Sequence, residues 1–528
     1  MKTTFYHIRF IIIPSLMIFM SSCSKEFLDK NPTDQLSATV FYTTKNSIDM
    51  ALASCYATMQ DQIFTSSNPV YDCLTDNGYD FNNNYGTKTL SQGPITSLSG
   101  GYITGVYSGS YQKIARYNIF IKTLADYNQP DVNATLKMTY EAEARLLRAI
   151  KYFDLYKFYG SVPLVLEKVN IADQYQPKVD ASKVQAQILA DIDFAINNLP
   201  DKSYASNGGH FVKASAQVLK ARVLLFDAYN DGGTAKPEVM AQVKTVTNEI
   251  MSKNYYSIAP SFRGLFCDDL GKQEGNPEFI FSVKYLAPNN FNSNNFGWSQ
   301  SAVYLMDASS PGGALLPLKN FANEFEFNNG TSFSVTNPLY DASNIYKNRD
   351  PRMAKTIFSG SVTFENGFTL TLLPSATGYS YYKHIQGSDA KDPYANKDGS
   401  DWPAMRYAEV LLMYAEAANE VDGPTALVYS AVNQIRNRAD INMPALPAGL
   451  SKDQMRVAIR HERRIELAFE GFRYDDLKRW KIAEQALTIP ASEAIFSKTF
   501  LKKNYHLPLP QSEIDISHGV LIQNPDYQ

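Results

Sequence analysis

The stretch RYAEVLLMYAEAAN, residues 406 to 419, places Tyr407, Val410, Leu411, Tyr414, Ala415 and Ala418 at i, i+3, i+4, i+7, i+8 and i+11, with Arg406, Glu409, Glu416 and Asn419 on the other side. At 3.6 residues per turn that spacing is one continuous apolar stripe, so the segment is a helix that must bury a face against a neighbour. EARLLRAIKYFDLYKFYG repeats the pattern with Leu146, Ala149, Ile150, Phe153 and Tyr156, and Gly160 followed by Pro163 stops it. The same texture predicts helices over about 46–63, 110–127, 134–159, 181–198, 212–229, 236–252, 403–420, 424–440 and 451–470. Paired helices of this length, rich in Ala and Tyr, point to a mostly α, tetratricopeptide-like stack, although no clean 34-residue period recurs.

Between the helices lies a second texture. Residues 64–110, 285–304 and 374–400 mix Asn, Gly, Ser and aromatics without sustained periodicity, and 255–400 as a whole reads as an irregular insertion with short strands between two helical blocks.

The N-terminus carries an address. Lys2, His7 and Arg9 precede an apolar run from Phe10 to Met20, broken only by Pro14 and Ser15, which is too short to span a bilayer. Met20-Ser21-Ser22-Cys23 resembles a bacterial lipobox, so Cys23 is expected to become the lipidated first residue of the mature chain. Acyl chains there would anchor it without a transmembrane helix. Ser24 after the cysteine resembles an outer-membrane sorting signal, and Lys25, Glu26 and Asp29 a surface-directing tether. Loss of Lys2 and Arg9 takes the formal charge from −3 to −5, which offers no basic excess for nucleic acid. Cys55, Cys73 and Cys267 then remain, too few and too scattered for a disulfide framework; a single Cys55–Cys73 bridge is compatible with the sequence and not required by it.

Six blocks together carry a family resemblance. CSKEFLDKNP after the leader, EARLLRAIKYFDLYKFYGSVPLV, NRDPRM at 348–353, DWPAMRYAEVLLMYAEAAN at 401–419, IRHERRIELAFEGFRYDDLKRWK at 459–481 and the tail from YHLPLPQSEI to IQNPDYQ resemble the SusD/RagB outer-membrane nutrient-binding lipoproteins, in order and over essentially the whole mature chain. The resemblance implies a right-handed tetratricopeptide-like scaffold with an irregular, loop-rich inserted subdomain containing short strands. It further implies a lid on a SusC-like TonB-dependent transporter barrel, delivering a captured oligosaccharide or, in the alternative, a peptide. The expected segments are a signal peptide over 1–22, a lipidated tether over 23–40, a helical scaffold over 41–254 with ligand-facing loops at 64–110, the irregular subdomain over 255–400 and a closing helical block over 401–528.

Physical chemistry gives a ligand site a form. Sugar rings offer flat C–H faces to aromatics and hydroxyls to amides, so loops that interleave the two suit a glycan. NGYDFNNNYG offers Tyr79, Phe81, Asn83 and Tyr85, and NNFNSNNFGW offers Phe291, Asn294, Phe296 and Trp298, as glycan-contact candidates; the same aromatics would equally pin loops to the scaffold or face the barrel. Asp350-Pro351-Arg352 reads as a turn fixed by an ion pair. Arg460, Glu462, Arg463, Arg464 and Glu466 read as a structural clasp through three- and four-residue spacings, with Arg473, Asp475 and Asp476 knitting on the next turn. Catalysis has little footing: His7, His210, His384, His461, His506 and His518 show no metal spacing, and Ile465 stands where HExxH needs histidine. The sequence has no GxSxG elbow and no phosphate loop, and it calls for no cofactor or metal; a surface glycoside hydrolase remains the lesser alternative.

Overall fold

A computed structural model describes residues 42–60, 69–80, 83, 86–170, 173–292, 315–364, 366–371, 376–388, 398–491 and 497–528. The molecule is mostly α. Its main helices are α1 (Lys45–Ala57), α2 (Tyr102–Asp126), α3 (Ala134–Tyr159), α4 (Ala181–Asn198), α5 (Lys213–Phe226), α6 (Pro237–Ser252), α7 (Tyr407–Asp422), α8 (Ala426–Arg436), α9 (Lys452–Glu466) and α10 (Arg473–Arg479). Each of α2 to α6 packs on the next, α6 packs on α7, and α7 packs on α8 and α9. The stack therefore resumes at α7 on the helix where it stopped, with some 150 intervening residues looped out of it, as expected of a tetratricopeptide-like scaffold.

Local chemistry sets the helix ends. Asn133 accepts from the Leu136 amide at the start of α3, Thr425 does the same for Val428 in α8, and Ser451 with Gln454 closes a capping box on α9. Gly160 ends α3 at φ +69°, and a Cβ there would come within 3.1 to 3.4 Å of the His506 ring, so both conformation and space require glycine.

Three expectations need correction. Residues 402–406 are not the first turn of α7 but a buried strand, and the helix begins at Tyr407, whose amide donates to the Glu278 carbonyl. Strand pairing across the insertion outcompetes the local helical pattern there. The helix read from 110 begins at Tyr102, because Gly105 and Gly109 disguise the burial of Ile103, Val106, Tyr107 and Ser110 at helical spacing. The stretch read as aperiodic over 64–110 contains, among its described residues, a 3-10 turn at Pro69–Leu74, a strand and a helix at Thr87–Gln92.

Strands are short: β1 (Gly78–Asp80), β2 (Phe279–Val283), β3 (Leu315–Pro317), β4 (Ile357–Phe358), β5 (Ser361–Thr363), β6 (Thr369–Thr371), β7 (Ser380–Tyr381) and β8 (Trp402–Arg406). They form antiparallel pairs β1–β3, β2–β8, β4–β7 and β5–β6. β2–β8 stitches the entry and exit of the insertion together, with Phe279 opposite Arg406 and Val283 opposite Trp402.

The charged block at 460–476 is a buried clasp, but its partners are distant in sequence rather than three or four residues away. Glu466 accepts from Arg406 at 2.8 Å, Arg438 at 2.6 Å and Arg352 at 3.1 Å; Glu462 bridges Arg352 and Arg436; Glu470 joins Arg406 and Lys383. Arg463 reaches Asp476, and Arg464 and Arg473 both hold Asp76. Arg460 lies over the Trp480 ring at 4.5 Å. The Asp350–Arg352 pair is present at 2.8 Å. Burial pushes the pKa of Glu466 up, but Arg438, Arg406 and Arg352 outweigh that and hold the carboxyl well below its usual range. Cys55, Cys73 and Cys267 are buried free thiols, which answers the open question of a Cys55–Cys73 bridge.

Candidate functional site

An open groove of about 330 Å³ lies where α1, the 208–210 turn and the end of β2 meet. That volume stands at the low end of small-molecule sites, which run from about 300 to 1,000 Å³. Ala53, Ala57, Gly208 and Gly209 keep it open, the half-buried Tyr56 supplies ring surface in front of a core that includes Phe281, and Gln60, His210, Lys284 and Asn290 bring polar groups. Gly208 and Gly209 have φ of +60° and +88°, which gives the 207–210 turn its tight path.

A buried carboxylate organises one wall. Glu143 of α3 is 2 % exposed; its Oε2 accepts from the Tyr56 hydroxyl and sits 2.8 Å from His210 Nδ1. The imidazole packs edge-on to Tyr56 with ring centroids 5.6 Å apart, and 48 % of its side chain remains exposed. The hydrogen bond to Glu143 outweighs desolvation and raises the His210 pKa above its ordinary value. On the other wall, Lys284 Nζ lies 2.6 Å from Asp401, and the Lys284 carbonyl accepts from Gln60 Nε2 at 2.8 Å. The Tyr285 hydroxyl donates back to the Gln60 carbonyl at 3.1 Å, so the end of the α1 segment is tied to β2. A smaller cavity of about 100 Å³ shares Met59 and Phe281 with the groove and is lined by the Arg222–Glu409 and Lys157–Asp475 pairs. At about 30 Å³ per water it has room for a few waters, not a sugar ring.

The sequence candidates fare unequally. Phe291 is half-buried and directly follows Asn290 of the groove, while Asn292 is pinned through the Asp398 and Ser400 carbonyls at 2.8 Å each. Tyr79 is not a surface aromatic: its side chain is 1 % exposed, packed with Leu316, Leu318 and Ile489, because β1–β3 pairing sets it opposite Leu316. Asn83 is a turn former at φ +54°, with its amide oxygen accepting from the Thr89 amide and its Nδ2 donating to the Thr89 hydroxyl. Phe81, Tyr85, Asn294, Phe296 and Trp298 lie outside the described residues, as does Cys23. Leu315 of β3 is the cross-strand partner of Asp80. The turn leading into β1 is fixed from below by Lys498, whose buried Nζ donates to the Cys73, Thr75 and Gly78 carbonyls at 2.9, 2.6 and 2.6 Å.

Tyr56, Gln60, His210 and Lys284, none of them a sequence candidate, line the groove without a shared motif; only His210 has a local signal, NGGH at 207–210, where Gly208 and Gly209 set it on a turn. Among the described residues no cluster of three or more His, Cys, Asp or Glu side chains could hold a metal ion, and no helix is long and apolar enough to cross a membrane.

Comparison with known proteins fits the architecture. Residues 277–527 match the SusD family, and residues 26–225 match a SusD-like family described as starch-binding associating with outer membrane. The chain is 26 % identical to SusD-like protein P2 of Formosa agariphila across 99 % of both chains. Among solved structures it resembles a SusD-like carbohydrate binding protein from Bacteroides fragilis, with a TM-score of 0.76 and 24 % identity over 92 % of this chain and all of that one. It also resembles surface glycan-binding protein A from Bacteroides thetaiotaomicron in complex with laminarihexaose, with a TM-score of 0.66 and 19 % identity over 91 % of this chain and all of that one. Matched by its family along both halves, with a helical stack that closes across an irregular insertion, the chain belongs to the SusD-like family.

Proposed function

We propose that this chain is a glycan-binding lipoprotein of the outer membrane, held at the cell surface through Cys23, that captures oligosaccharides and passes them as a lid to a TonB-dependent transporter. The observation that carries the reading is the open groove with Tyr56, His210, Lys284 and Asn290 on its walls, set at the start of the Asn- and aromatic-rich stretch 291–298. Ring surface beside amides and charged donors is the chemistry a sugar face and its hydroxyls require. The relatives described as carbohydrate- or glycan-binding support the same reading.

The reading is of a binder, because the relatives are described by what they bind. A lid role would use a broad, permanent interface of about 2,000 Å² or more with the barrel, and the lipid would keep the lid close while it opens.

The test is calorimetric titration of the chain starting after Cys23 against neutral and acidic oligosaccharides and a tryptic peptide pool. Heat with a glycan class, reduced by Phe291→Ala and by Trp298→Ala, is the expected outcome. Heat with peptides alone would replace the ligand with a peptide and leave the lid role standing.

A further inference from the structure

Among the described residues, the ionisable side chains that line the groove, apart from the Tyr56 phenol, are His210 and Lys284. They stand on separate elements, one on the 207–210 turn and one at the end of β2, with side chains 48 % and 45 % exposed. Their carboxylates stand behind them, outside the lining: Glu143 is 3 % exposed at its side chain and Asp401 9 %. Glu274, fully exposed, lies 3.6 Å from Lys284 and is not in the lining. In a chain with more acids than bases, the described lining of the groove thus holds two basic heads and no carboxylate.

We propose that the groove selects glycans bearing an anionic group, a uronate carboxylate or a sulfate ester, bound between His210 and Lys284. This inference rests on the glycan reading above and narrows its substrate class. Lys284 carries three donors and commits one to Asp401, so its ammonium can also serve a ligand oxygen. His210 gives its Nδ1 proton to Glu143, which leaves Nε2 as the ring's other polar atom. In the neutral ring Nε2 only accepts; protonated, it donates, and an anion then receives a charge-assisted hydrogen bond. Recognition therefore depends on the proton that the buried Glu143 helps retain. The other groups facing this imidazole are Tyr56, Asp49 and Lys45 of α1, and those facing Lys284 are Asp401, Glu274 and Tyr204. Uronates and sulfates stay ionised across neutral pH, so affinity falls as pH rises through the His210 titration and recovers on return. Gln60 and Asn290 also line the groove.

The experiment measures affinity of the full chain, in detergent, for hexasaccharides of alginate (uronate), of carrageenan (sulfate ester) and for neutral laminarihexaose. It is run at about pH 6 and about pH 8.5, at low and high salt. The expected result is at least about tenfold preference for one acidic hexasaccharide over the neutral one, shrinking at high pH and high salt, and lost to about the same extent in His210→Gln. Lys284→Gln is the second variant, and the pH profile of the unaltered chain needs no variant to fold. Which acidic hexasaccharide binds separates carboxylate from sulfate recognition. Equal or tighter binding of laminarihexaose, or an acidic preference indifferent to pH and to both substitutions, overturns the inference while glycan capture stands. Silence from all three sugars, with binding of peptides, removes both.

Discussion

Tyr79 and Phe291 sit in stretches of the same composition, yet one is core and the other borders a groove. Nothing within NGYDFNNNYG tells the two roles apart, because the burial of Tyr79 comes from pairing with a strand some 235 residues later. Asn83 is similarly claimed by a local turn. A different kind of residue escaped notice: His210 gains its role from Glu143, 67 residues away, and a buried carboxylate partner leaves no mark in the flanking sequence. Tyr79→Ala, by emptying an aromatic site in the core, is expected to cost about 3–5 kcal/mol in chemical denaturation, whereas Phe291→Ala is expected to cost less than about 1.5 kcal/mol and to lower glycan affinity. Matched losses of stability in the two variants would contradict the assignment.

At the level of elements, amphipathic periodicity located most helices of the scaffold, since α3, α4 and α6 follow the expected spans closely. It failed where another force decided. β8 was hidden because its residues continue the helical pattern of α7 but pair with β2 instead, and the beginning of α2 was hidden by two glycines. α7 itself is buried almost all round, so its polar side is satisfied by partners rather than water: Arg222 chelates Glu409, and Arg479, Tyr229 and Trp480 all donate to Glu416. Burial raises the Glu416 pKa, but Arg479 above all outweighs it and holds the carboxyl at about 2. A depressed carboxyl pKa stabilises the fold above the unfolded value near 4.5 and loses that contribution as pH falls toward 2. The contribution is on the order of 3 kcal/mol. Glu416→Gln is therefore expected to lose stability at pH 7 and to show a flatter stability profile between about pH 5 and pH 2 than the unaltered chain. An unchanged acid limb in equilibrium unfolding would show that Arg479 and Glu416 are not coupled in this way. Lys498 ties elements in the same manner; Lys498→Met strands three buried carbonyls at the turn before β1 and is expected to cost about 3 kcal/mol or more, read as a lowered unfolding midpoint.

For the whole molecule, a mostly α stack interrupted by an irregular insertion was legible in the alternation of two textures, and the stack's resumption from α6 to α7 shows why the helical blocks belong to one scaffold. The site was less legible, because it is assembled from α1, the 207–210 turn and β2, each contributing one or two side chains without a shared motif. The proposed anchor gives a prediction at this scale: Cys23→Ala moves the chain from the membrane fraction to the soluble fraction, while glycan affinity in solution stays unchanged. Persistence in the membrane fraction would assign the attachment to something other than the lipid. The most direct measurement of the central claim is hydrogen–deuterium exchange of the chain with and without its tightest-binding oligosaccharide. Slowed exchange in segments 53–60, 207–210 and 281–292 is the predicted result; unchanged exchange there, with protection confined to other surfaces, would contradict the groove as the glycan site.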